Sequence, residues 1–473
     1  MFSGLSRIEH WHSHPKQLAN VHSLYEYFQR HVDAVKKHDR DSPALTITPI
    51  ASYIKILGDA GEYQRMFDVY YALDQEGPLS PNQFVFTAMF QAISERRAPS
   101  DRYEPTTHTQ NATDARLLWS QMLKASTKSP GFAVDPYITS AATIALSRGR
   151  PADQAFALDI VGEYLGLTEP GSPPLPGKFP LTVQTLAAAL TLCNQLRNHK
   201  LCIHFFEQVK DRPEKSGGVS ILDRGHMEEV LKAFVSLAAL GSPDEPLHAL
   251  RTLEWMLRQE LIGTNGPKIR PAMTTYNLVL MACWRGADWT SATRTFELMT
   301  GYNAVEFGDE RGSGRNPRTE QRPQGRNLIP DGQTMSCMIR TASASRNSAH
   351  MRQALRMVDR VGLDGLLGHN ARSNEARTSK KASKQTTFYQ RKLAAALVET
   401  INIILPTGKT KVEHSKSDEH VGRWMVMKTR ANEFLRVNSV ASEANGDDNE
   451  HFIEYEKPPA LRHRQNDHVV TME

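Results

Sequence analysis

Residues 269–302 read IRPAMTTYNLVLMACWRGADWTSATRTFELMTGY. Tyr276, Val279, Leu280 and Cys283 recur at helical spacing, Gly286 supplies a break, and Ala292, Phe296 and Met299 make the stripe of a second helix. The stretch predicts a helical hairpin. Neither strand alternation nor a βαβ rhythm appears in the chain.

The same grammar recurs on both sides. From Pro49 to Asn82, Tyr53, Ile54 and Leu57 precede Ala60-Gly61, then Met66, Phe67, Tyr70 and Leu73 follow, and Pro81-Asn82 closes the unit. A further first helix, QFVFTAMFQAI, is separated from its partner, ATDARLLWSQMLKA, by a polar interruption. Hairpins begin again at Pro136 and Leu181, a looser one spans Arg224 to Gln259, and IPDGQTMSCMIRTASASRNSAHMRQALRMVDRVGL supplies the last. Each hairpin is too small to bury its own apolar face, so seven in line imply stacking around a continuous core. The expected fold is all-α: a right-handed α-solenoid of stacked helical hairpins with disordered insertions and tail.

Five regions follow. Residues 1–44 form an N-terminal helical or targeting region, and residues 45–365 a degenerate repeat array with insertions near 95–110 and 303–327. A basic linker (366–385) leads to a C-terminal helix (386–405), whose Leu393, Leu397, Val398, Ile401 and Leu405 form one apolar stripe that either caps the array, the commoner arrangement, or docks on a partner. The remainder, 406–473, is expected to be largely disordered.

Composition narrows the function classes. The 473 residues have a mean hydropathy of −0.48. They contain no apolar run near the ~18 to 20 residues a bilayer crossing needs. Cys193, Cys202, Cys283 and Cys337 are scattered without a Cys-x-x-Cys pair, which argues against a stapled secreted fold and against a zinc ribbon. The net charge of +5 is unevenly placed. Arg340 to Lys392 holds twelve Lys or Arg against three Asp or Glu, leaving the remainder slightly acidic. A concentrated basic stretch suits a polyanion, and equally a solvated linker. The first 30 residues carry Glu9 and Glu26 beside Arg7, Lys16 and Arg30, so they are no secretory signal, and as a mitochondrial leader they are atypical or incomplete.

The segments TTYN (Thr274 to Asn277), Ala60-Gly61, Pro81-Asn82 and IPDGQTMSCMIR, each opening or closing a hairpin of about 35 residues, resemble the pentatricopeptide repeat family. The Trp-x-x-Leu-Gly-x-x-Tyr signature of tetratricopeptide repeats is missing. Spacing departs from the family, since Ala51 to Thr87 is 36 residues but Asn277 to Ser336 is 59. Such divergence resembles fungal mitochondrial members. The resemblance implies a mitochondrial, non-catalytic protein that binds single-stranded RNA, acting in small-subunit ribosomal RNA processing or maturation, or in messenger RNA stability and translation, with the mitochondrial small ribosomal subunit as a partner. The competing class is an α-solenoid scaffold whose concave face binds protein, including a subunit associated with that ribosome.

Carried over by motif position, the resemblance implies base-contacting pairs Asn277 with Asp331 and Thr87 with Asp135, and Ser336 as a further first-helix reader. Short polar side chains offer hydrogen bonds to a base edge. Ala51, at the matching position of the first unit, has no polar group to offer. Asn82, Asp135 and Asp331 also read as helix N-caps, because each stands just before a predicted helix. Phosphate contact is assigned to Arg340, Arg346, Arg352, Arg356 and Arg360. The last three are four residues apart and form a ridge on one helix, with Asp359 the only acid near them in sequence.

Other chemistry is not supported. Gly408-Lys409-Thr410 lacks the phosphate-loop glycine five residues earlier, where Ile403 stands. Gly312-Ser313-Gly314 has no preceding strand. His10, His12 and His14 have no Cys or carboxylate cluster to complete a metal shell. No catalytic residue, metal or cofactor is expected.

Overall fold

The computed structural model describes residues 1–8, 10–39, 42–97, 105–128, 132–173, 175–263, 265–309, 317–320, 327–368, 380–405 and 418–444. Among them there is no strand, only an isolated antiparallel bridge between Tyr302 and Thr319. The chain resolves into two compact units, Met1–Val230 and Leu231–Glu473.

The first unit begins with α1 (Phe2–Leu5) and α2 (Pro15–His38). Four hairpins follow: α3 (Thr48–Ala60) with α4 (Tyr63–Tyr71), α5 (Gln83–Glu95) with α6 (Pro105–Lys128), α7 (Pro136–Ser147) with α8 (Pro151–Ile160), and α9 (Val183–Gln195) with α10 (His199–Lys210). First helices stack in a row, α3 on α5, α5 on α7 and α7 on α9, while each second helix packs back on its own partner. Tyr53, Ile54 and Leu57 of α3 are fully buried, as are Met89, Phe90 and Ile93 of α5. Gly58 permits the close approach, because a Cβ there would lie 2.5 Å from that of Ala92. The expected apolar stripes thus form the core, at roughly 25 cal/mol for each Å² of apolar surface removed from water.

The unit boundary falls within α11 (Arg224–Ala239). The second unit continues with α12 (Glu245–Ile262), the hairpin α13 (Met273–Arg285) and α14 (Trp289–Thr300), the hairpin α15 (Gly332–Ala344) and α16 (Ser348–Val361), the short α17 (Leu363–Leu366), and finally α18 (Lys380–Ile404) and α19 (Asp418–Ala444). Here α13 stacks on α15 and α15 on α18. All seven apolar positions expected in the 269–302 hairpin are buried.

Hairpin turns repeat a device. Gly61 (φ +80°), Arg197 (+55°), Ala287 (+54°) and Arg346 (+55°) hold the left-handed conformation between first and second helices. Asn198, Asp288 and Asn347 follow the last three and cap the second helix with their side chains. The break at 286–287 is therefore made by Ala287, not by Gly286, whose φ is −89°. Gly286 serves packing instead, since a Cβ there would lie 2.4 Å from Pro246 Cγ.

Two expectations about disorder are corrected. The tail expected from residue 406 contains α19, which packs on α18 through buried Trp424, Met427, Ala431 and Phe434. Their stripe is blurred in the sequence by exposed Met425, Val426 and Val437. Helix α18 is therefore not terminal: it continues the row of first helices, with Ser343 and Thr400 hydroxyls 2.8 Å apart across its contact with α15. The insertion expected at 303–327 is folded at its start, where Ala304 and Phe307 are buried in a short 3-10 turn against α14 and α16. Residues 310–316 and 321–326 of it, most of the 366–385 linker, and both glycine-rich segments set aside above lie outside the described residues. Trp11, between the alternating histidines, is buried at 1% exposure and anchors this segment beside α3.

Candidate nucleic-acid interface

The interface is built on the N-terminal turns of the first helices, where the backbone leaves orphan N–H groups that side chains must satisfy. Asn82 accepts from Phe84 N (3.1 Å) and Val85 N (3.2 Å), Asp135 from Ile138 N (2.8 Å), and Asp331 from Thr334 N (2.8 Å). Capping thus occupies all three residues. Thr87 is tied locally as well, its hydroxyl donating to Gln83 O at 2.8 Å. The pair Thr87 and Asp135 is held by two different helices, each side chain bonded within its own turn.

Asn277 and Asp331 are brought together. Asn277 Nδ2 donates to Asp331 Oδ1 at 3.4 Å, and the Thr334 hydroxyl donates to Asn277 Oδ1 at 2.7 Å. Asn277 is 2% exposed, so its amide is satisfied inside the protein and links α13 to the cap of α15. Contact with a base requires this network to open. Ser336 is buried too, at 1% exposure, and its Oγ makes no hydrogen bond among the described residues. It lines a small pocket with Trp284, Arg285, Arg340, Phe388 and Tyr389. Of the sequence-derived readers, Asn277 and Ser336 are therefore buried, Thr87 and Asp135 are half-buried, and Asp331 is exposed.

The arginines separate into different environments. The Arg340 guanidinium lies 3.4 Å from the centre of the Trp284 ring, with Arg285 at 3.9 Å, both within cation–π range. Arg346 stands exposed in the left-handed turn after α15. On α16, Arg352 and Arg356 both grip Asp309, and Arg360 lies 5.8 Å from the Tyr302 ring centre. Asp309 comes from the insertion, forty-three residues from Arg352, so the ridge has an acid that its neighbourhood in the chain does not contain. The Arg352 guanidinium beside it holds the Asp309 carboxyl down to about 2, with Arg356 adding to the effect. Asp359 is engaged elsewhere, with Arg423 of α19 at 3.2 Å.

Sequence reasoning missed two residues. Phe84 and Tyr137 are the second residues of α5 and α7, two positions after the capping Asn82 and Asp135, and remain 59% and 60% exposed. Because α5 packs on α7, two exposed aromatic rings occupy the same register of adjacent first helices. The available signal was an aromatic two places beyond each cap. Such rings are stacking platforms for flat ligands.

Among the described residues no group of His, Cys, Asp and Glu has the arrangement of a metal site, and no helix is long and apolar enough to cross a membrane.

The fold is that of an α-helical repeat protein built from stacked hairpins. No family model matches the chain, and no curated protein does. Among solved structures it is similar to the crystal structure of the pentatricopeptide repeat protein PPR10 from maize, at 14% identity and a TM-score of 0.39. That match covers 88% of this chain and 57% of the other, so the chain spans a little over half the length of the structure it matches.

Proposed function

We propose that this chain is a non-catalytic, single-stranded RNA-binding protein of pentatricopeptide type. One observation carries the reading: Phe84 and Tyr137 are exposed at equivalent positions on adjacent, packed first helices. Successive bases of an unpaired strand stack on such rings irrespective of sequence, at about 1–3 kcal/mol per base. The half-exposed Arg340 guanidinium over Trp284 suits a phosphate backbone. The motif resemblance extends the proposal to mitochondrial RNA metabolism: processing or maturation of small-subunit ribosomal RNA, or stability and translation of messenger RNA, in association with the mitochondrial small ribosomal subunit.

The second reading, an α-solenoid scaffold for protein, is favoured at one place. Burial of Asn277 and Ser336 removes two of the three polar readers from the surface of the second unit and leaves Asp331. Crosslinking in cells followed by sequencing of bound RNA separates the two. Enriched transcripts, lost when Phe84 and Tyr137 are both replaced by Ala, support RNA binding; absence of enrichment overturns it.

A further inference from the structure

Helix α12 exposes apolar side chains where its neighbours expose polar ones. The outward face of a second helix meets solvent and is ordinarily polar, and the exposed side chains of α14 and α16 include no large apolar one. On α12, Leu261 and Ile262 are 66% and 71% exposed, the only adjacent apolar pair above 60% among the described residues. Arg251, Trp255 and Arg258 lead to that pair in steps of three and four, so all five side chains share one face. Both arginines are exposed and Trp255 is half-buried.

The end of this helix projects. With 18 residues α12 is longer than α14 with 12 and α16 with 14. Gly263 (φ +85°) follows Ile262, and a Cβ added there would meet nothing within 4 Å. Charge around the tip is positive, since Arg251, Arg258, Lys268 and Arg270 stand in one stretch with Glu254 and Glu260 as its acids. Both acids are engaged, Glu254 with Arg294 at 3.5 Å and Glu260 with Arg270 at 2.6 Å. Arg251, Arg258 and Lys268 are exposed and enter no ion pair among the described residues. The exposed acid Asp244 stands at the opposite end of the helix.

We propose that this face of α12 is a docking surface for an anionic lipid membrane. Leu261 and Ile262 enter the boundary between headgroups and acyl chains, Trp255 lies at headgroup level, and Arg251, Arg258 and Lys268 meet lipid phosphates. A protein partner would need a pocket shaped to a projecting aliphatic pair, whereas a fluid lipid surface accepts a convex tip of any shape. The unpaired cations select an anionic surface over a neutral one. Association is peripheral, because no described helix is long and apolar enough to cross a bilayer. The proposal is independent of the RNA-binding reading.

The test is flotation of the full-length chain with vesicles of phosphatidylcholine alone or with about one third phosphatidylglycerol, across a salt series. Binding is expected to the anionic vesicles only and to fall with salt. Arg251→Gln with Arg258→Gln should weaken it on the order of tenfold or more, at about fivefold per cation. Leu261→Ser with Ile262→Ser should weaken it by at least about tenfold through lost apolar burial. Ile262→Cys supplies a second readout, because the four native cysteines are buried and an environment-sensitive dye then labels the tip. Its emission should shift to the blue on anionic vesicles, and this measurement decides if the serine variant loses its helical signal. No binding to anionic vesicles overturns the lipid assignment and leaves the face to a protein ligand. Binding undiminished in both double variants, or dye emission unchanged by vesicles, overturns it equally.

Discussion

Asn277 and Asp331, fifty-four residues apart in the chain, meet at 3.4 Å, and Thr334 closes a part-buried triangle with them. One face of α13 is thereby joined to the N-cap of α15, so a cap and an inter-repeat contact share the same atoms.

That sharing predicts unequal losses. Asp331→Ala removes a cap worth about 1 kcal/mol and also exposes Asn277 to loss of a partner. Asn277→Ala leaves the Thr334 hydroxyl without its shortest acceptor and should cost about 1–3 kcal/mol. The double variant should be less destabilised than the sum, and a denaturant-melt cycle measures the difference. Strict additivity would show that the triangle carries no energy.

The aromatic platforms predict a loss in binding with the fold intact. Because Phe84 and Tyr137 are mostly solvent-exposed, Ala at either should leave the melting temperature within a few degrees while weakening RNA binding by about 1–3 kcal/mol. Fluorescence anisotropy at fixed salt reads the affinity. Phe84→Tyr should retain it, since the π-face persists.

Residues 286 and 287 have opposite expected signs. Gly286→Ala places a methyl 2.4 Å from Pro246 Cγ and should destabilise by about 1–3 kcal/mol. Ala287→Gly relieves a left-handed alanine (φ +54°) and should stabilise by up to about 1 kcal/mol. Thermal melts of the two single variants give the comparison.

Acid should loosen the insertion. The Asp309 carboxyl is held down to about 2 by Arg352 and Arg356, below the ordinary value of 3.8. A depressed carboxyl contributes stability that is present above the unfolded value and is lost as pH falls from about 4 through about 2. Asp309→Asn should flatten stability across that window by lowering it at neutral pH toward the acid value, a small loss because a partly exposed pair is screened. Denaturant midpoints between pH 5 and 2 measure it.

Much of the fold was legible because its causes are local. The stripe Tyr276, Val279, Leu280 and Cys283 and the caps Asn82, Asp135 and Asp331 depend on residues within a turn or two, and both expectations hold. Helix α19 was missed, although Trp424, Met427, Ala431 and Phe434 keep helical spacing, because exposed apolar neighbours hide the stripe.

The sequence by itself determined that this is an array of helical hairpins and where the capped first helices α5, α7 and α15 start, since periodicity and capping are written within a few residues. Tertiary structure alone decided which side chains a ligand can meet. Asn277 and Ser336 are buried by neighbouring helices, Phe84 and Tyr137 remain exposed, and Arg352 meets Asp309 from forty-three residues away. Exposure and ion pairing belong to surfaces assembled from distant segments, and no local pattern encodes which segment will arrive.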